Sequence, residues 1–124
     1  MSKIQKFEDL DIWKNAIEIA VQVTNIFESK SLEKDFELKN QSIRAAISIS
    51  NNIAEGFEYD NNKDFIKFLR YAKGSTGEVR SLLHLLYRVN KISRETFEKM
   101  YEYAEVESKK IKTLIKYLES KTNR

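Results

Sequence analysis

Apolar residues recur along the chain at intervals of three and four, the spacing of one face of an α-helix, in four segments parted by short polar stretches. The first is predicted from Leu10 to Phe27, after Asp9 as N-cap. Its apolar line is Leu10, Trp13, Ile17, Ala20, Thr24 and Phe27, widened by Ile12, Ile19, Val23 and Ile26. After SKSLEKD the second runs from Glu33 to Phe57, with Ile43, Ala46, Ile47, Ile53, Ala54 and Phe57 along one side. Gly56 stands near its end, where helices commonly stop. The third follows EYDNN, is capped by Asn61 or Asn62, and reaches Val89 through Phe65, Phe68, Leu69, Ala72, Val79, Leu83 and Leu86. The fourth starts after Ser93 and keeps a heptad-like line through Phe97, Tyr101, Ala104, Ser108, Ile111, Ile115 and Leu118.

Proline is absent and glycine occurs only at 56, 74 and 77, so long helices meet no obvious breaker. Four helices joined by short connections predict an all-α, up-down-up-down antiparallel four-helix bundle, one domain over residues 1–124. At 1.5 Å rise per residue such helices make a rod roughly 27–42 Å long.

The second segment has a feature that core packing does not explain. Charged residues make up 33% of the chain, yet QSIRAAISISNNIAEG, residues 41–56, carries only Arg44 and Glu55. On a helical wheel Gln41, Ala45, Ser48, Asn52 and Glu55 fall within an arc of about 80°, nearly opposite Ile43, Ile53 and Phe57. In the third segment Gly74, Gly77, Glu78 and Ser81 cluster away from Phe68, Ala72 and Val79, and each glycine costs a helix roughly 1 kcal/mol relative to alanine. Two readings stay open: a solvated polar face, or a contact surface formed by Gln41, Ser48, Asn52, Glu55, Gly74, Ser75 and Glu78. In the second, the small polar groups form a hydrogen-bonded network between the second and third helices or between subunits. Carboxylates buried there, Glu55 and Glu78, then need Arg44 or Arg80 as partners.

The chain has no cysteine, hence no disulfide framework and no Cys-based zinc site. The start MSKIQKFEDLDIW lacks the apolar core of a signal peptide, and no apolar run approaches the roughly 20 residues of a membrane span. A cytoplasmic protein without a membrane partner is expected. His84 is the only histidine, read as a surface residue; it supplies neither a metal set nor the paired Glu-x-x-His motifs of a di-iron bundle. Gly74-Ser75-Thr76-Gly77 lacks the spacing and the preceding strand of a phosphate loop, and no G-x-S-x-G occurs. The expectation is no catalytic residue, no cofactor, no metal and no enzyme.

The net charge of +3 permits a nucleic-acid partner without requiring one. Lys109, Lys110, Lys112, Lys116 and Lys121 concentrate on the fourth segment, interleaved with Glu105, Glu107 and Glu119, either as a solvated helix with i, i+4 pairs or as one wall of a basic channel in an oligomer; Lys63, Lys67, Arg70, Lys73 and Arg80 form a second group on the third. The tyrosines at 59, 71, 87, 101, 103 and 117 are read as rims of the core rather than as stacking residues.

Three motifs occur in order: Phe7-x-x-Leu10-x-x-Trp13-x-x-Ala16; Gln41-x-x-Arg44-Ala45-Ala46-x-Ser48-Ile49-x-x-Asn52-Ile53-Ala54-Glu55-Gly56; and Ala72-x-Gly74-Ser75-x-x-Glu78. With these the chain resembles, over nearly its whole length, the bacterial four-helix-bundle family named for proteins encoded in intervening sequences of large-subunit ribosomal RNA genes. The family's relatives include the accessory protein of diversity-generating retroelements, a five-subunit ring that binds a reverse transcriptase and nucleic acid. The resemblance implies a homo-oligomer, a pentamer, with RNA or DNA and a reverse transcriptase or other protein as partners. Ser50 stands where the family usually has proline, softening any kink there, and Ile43 where many members have a second arginine, thinning the basic patch. The candidate phosphate contacts are Arg44, Lys67, Arg70, Lys73, Lys109, Lys110, Lys112 and Lys116. The function expected is a non-enzymatic, nucleic-acid-associated accessory or scaffolding module; the alternative is a structural homo-oligomer that binds a protein and no nucleic acid.

Overall fold

A computed structural model of the chain describes residues 4–29, 32 and 34–122. A single 3-10 turn, Phe7–Asp9, leads into four helices: α1 (Asp11–Ile26), α2 (Phe36–Glu58), α3 (Asn62–Arg88) and α4 (Arg94–Thr122). Among the described residues there is no strand, and no helix is long and apolar enough to cross a membrane. Each helix packs on the next, and α4 closes the bundle on α1. Partners recede along one helix as they advance along its neighbour: Ser48 meets Ser75 and Gly56 meets Phe68, while Arg70 near the start of α3 pairs with Glu119 near the end of α4. That is the antiparallel bundle expected.

The ends follow local chemistry. Asn61 caps α3: its Oδ1 accepts from the Asp64 N–H at 2.8 Å and its Nδ2 donates to Asp64 Oδ2 at 2.8 Å, a reciprocal pair that satisfies a first-turn donor. Ser93 accepts from the Thr96 N–H at 3.0 Å at the start of α4. The expected caps at the front of the chain differ. Asp9 lies in the 3-10 turn and Leu10 is the N-cap of α1, with no side-chain cap bond; Phe7 instead packs edge-on against Trp13 at 5.3 Å. α2 starts at Phe36, and Glu33, its predicted first residue, lies outside the described residues. Gly56 is no helix stop either, because it is helical and buried two residues before the end of α2.

The core is a continuous apolar column drawn from all four helices. α3 and α4 bury the lines predicted, including Leu69, Ala72, Val79, Leu83 and Leu86, and Ala104, Ser108, Ile111, Ile115 and Leu118, with Phe65, Phe68, Phe97 and Tyr101 at the rim. α1 is rotated from the expected line. It buries Ile12, Ala16, Ile19 and Val23, leaves Ile17 exposed, and holds Trp13, Ala20 and Thr24 at the rim. α2 likewise turns Ala45 and Ile49 inward with Ala46 and Ile53, and leaves Ile47 exposed. α2 runs unbroken through Ser50, whose hydroxyl donates to the Ile47 carbonyl at 3.1 Å.

Candidate functional site

On the outer side of α2 the sequence places hydroxyl and amide groups where charges are usual, and part of that stripe is knitted to α3. Ser75 Oγ donates to Ser48 Oγ at 2.9 Å, and Asn52 Nδ2 donates to the same oxygen at 3.0 Å and to the Ser48 carbonyl at 2.8 Å. Ser48, Asn52 and Ser75 are half-buried, so the three bonds lie partly out of water, where they hold best. The other members of the predicted face do not join them. Gln41, Glu55 and Glu78 are exposed, and the two carboxylates need no buried partner. Ala45, grouped with the polar arc, belongs to the core. Gly74 is exposed and a Cβ there would meet nothing within 4 Å, so its smallness serves no close approach within the chain. That role falls to Gly56, where a Cβ would stand 2.6 Å from the Phe68 Cβ. Beside the network, α2 carries a shallow depression of about 500 Å³ whose floor includes Ile43, Ile47, Asn51 and Asn52. Arg44 and Glu55 are its only charged residues.

The basic candidates separate into groups. Lys63, Lys67 and Arg70 follow one exposed line of α3 at i, i+4 and i+7, and Lys112, Lys116 and Glu119 follow one of α4. The Arg70–Glu119 ion pair brings the two lines together and neutralises the acid between them. Lys109, also exposed, lies one turn before Lys112. The result is a basic track along the α3–α4 seam, about 25 Å long at the helical rise. Three candidates fall outside it. Lys110 reaches the other way and bonds Asp11 of α1 at 2.6 Å, Lys73 is half-buried, and Arg44 belongs to the outer side of α2.

Glu107 is the residue that sequence reading misplaced. Predicted as one of the solvated charges of α4, it is 0% exposed between α4 and α1, and neither carboxylate oxygen has a hydrogen-bond partner among the described residues. Burial pushes its pKa from 4.5 up to about 8, outweighing the attraction of Lys110; Asp11 adds to the rise, and the Asn15 amide opposes it without reaching hydrogen-bond geometry. A signal was present: 107 falls three after Ala104 and four before Ile111, the spacing of the buried line.

His84 is exposed and lies against Phe97 and Tyr101, with ring centroids 4.9 and 5.2 Å away. Among the described residues no three His, Cys, Asp or Glu side chains come together as a metal site. The surfaces that remain are suited to binding: a weakly charged face on α2 and a basic track on α3 and α4.

The family model described as 23S rRNA-intervening sequence protein matches residues 8–113. Among solved structures, the chain is similar to a protein of unknown function from the S23 ribosomal protein family of Bacteroides thetaiotaomicron. The two share 28% identity with a TM-score of 0.79, over 85% of this chain and 98% of that one. A comparison with curated proteins gives no match.

Proposed function

Because the chain belongs to the 23S rRNA-intervening sequence protein family, we propose that it is a non-enzymatic, homo-oligomeric module that associates with nucleic acid as an accessory or scaffold. The observation that carries this reading is the basic track, where Lys63, Lys67, Arg70, Lys109, Lys112 and Lys116 stand on adjoining exposed lines of α3 and α4. Side chains so placed contact phosphates and carry little sequence information. Self-association multiplies a modest charge of +3 into a field that draws a polyanion. The outer side of α2, with its exposed Ile47 and its few charges, suits the subunit contact. A five-subunit ring and a reverse-transcriptase partner are part of the same proposal, and rest on the sequence motifs' resemblance alone.

The α2 face also favours a second reading, a structural homo-oligomer that binds a protein and no nucleic acid. Light scattering of the protein, alone and with mixed RNA or DNA at low and high salt, separates the two. An oligomer that takes up nucleic acid at low salt and releases it at high salt supports the first reading. An oligomer that ignores nucleic acid at every salt concentration supports the second, and a monomer overturns both.

A further inference from the structure

At the corner where α2 turns into α3, three aromatic rings meet beside the basic track. Phe68 is fixed by its fit against Gly56. Tyr59 stacks on it with ring centroids 5.1 Å apart and planes 12° apart, and Tyr71 meets it edge-on at 5.7 Å. Tyr59 and Tyr71 are nevertheless 52% and 51% exposed, well beyond the half-buried Tyr87 and Tyr101 that do rim the core. The corner is stiff. The Tyr59 carbonyl accepts from Asn61 Nδ2 at 3.2 Å, and the same Asn61 caps α3. Lys67 lies 5.8 Å over the Phe68 ring, and Lys63 and Arg70 share its line.

We propose that Tyr59 and Tyr71, backed by Phe68 and bordered by Lys63, Lys67 and Arg70, form a stacking platform for the unpaired bases of a single-stranded nucleic acid. This deepens the nucleic-acid reading above and rests on it. Rigid, half-exposed rings gain from contact with a flat base, and any base has such a face. A duplex keeps its bases stacked on one another and offers only phosphates. Lys63 and Lys67 hold the phosphates of a strand whose bases reach the rings, while Arg70 keeps Glu119 from repelling it. Glu58 and Asp60, exposed on either side of Tyr59, repel phosphates, so the strand's backbone follows the lysine line of α3 and only its bases reach the rings.

The test is fluorescence anisotropy of labelled oligo(dT), oligo(U) and a duplex of equal length, about ten nucleotides each, across a salt series. The Tyr59→Leu/Tyr71→Leu variant should bind both single strands at least tenfold more weakly with an unchanged salt slope, and the duplex as before. Tyr59→Phe/Tyr71→Phe, which keeps the rings, should restore single-strand binding. On the wild-type protein, photocrosslinking of a bromouracil oligonucleotide should mark Tyr59, Phe68 or Tyr71 by mass spectrometry, which covers the case of a Leu variant that fails to fold. Unchanged single-strand affinity in the Leu variant, equal loss for strand and duplex, or crosslinks confined to other residues overturns the platform while nucleic-acid association stands. A wild-type protein that binds none of the three at low salt overturns both.

Discussion

Glu107 keeps its proton in the folded chain at neutral pH, because burial raises its pKa from 4.5 to about 8. Between those values the unfolded chain, with its carboxyl in water, binds fewer protons than the folded one. Stability therefore falls with rising pH, by up to about 1.4 kcal/mol per unit, and this contribution levels off below the lower value and above the upper. Glu107→Gln, which cannot ionise, should remove that slope and gain about 1–3 kcal/mol at pH 7, while matching the parent near pH 4.5. Urea unfolding at intervals from pH 4.5 to 8.5 gives the comparison; equal slopes in parent and variant would mean that Glu107 does not titrate in this window. The residue also marks where sequence falls short. Its spacing fits the buried line and its charge argues for solvent, and only the packing of α1 over α4 decides between them.

At the scale of the element, the helices and several of their ends were legible, because periodicity and caps are local. Asn61 before α3 and Ser93 before α4 act as their residue types predict. The facing of α1 was not legible. Its apolar arc is broad enough to hold two lines, and the positions of α2 and α4 select Ile12, Ala16, Ile19 and Val23 over the line through Trp13 and Ile17. The glycines divide in the same way, alike as letters and different in surroundings. Gly56→Ala should destabilise by about 1–3 kcal/mol, since the new methyl must displace Phe68. Gly74→Ala should stabilise by up to about 1 kcal/mol, since the site is open and alanine favours the helix. Thermal melts of the two variants should move in opposite directions.

Across the whole molecule, cohesion is uneven. α1 is the shortest helix, its packing on α4 is the sparsest in the bundle, and that seam contains Glu107 and an open groove of about 410 Å³. Native-state hydrogen exchange should accordingly find α1 the least protected helix and the α2–α3 pair the most. Uniform protection would show that the bundle opens as one unit. Of the candidate site, the sequence supplied the residue types and could not supply their sharing of a surface. Lys110 and Lys112 are two positions apart, yet one reaches toward α1 and the other lies along the line beside α3. The notch at Gly56 bears on the whole bundle as well. Apolar attraction is indifferent to position along a helix, so two greasy faces can slide past each other by a turn at little cost. α2 offers the clearance that Phe68 needs only once in its length. Displaced by a turn toward the start of α2, Phe68 would meet the Asn52 side chain instead of the gap, so the notch, together with the Ser48–Ser75 bond, selects the register in which the helices lock and, with it, which residues of α3 stand beside the end of α2.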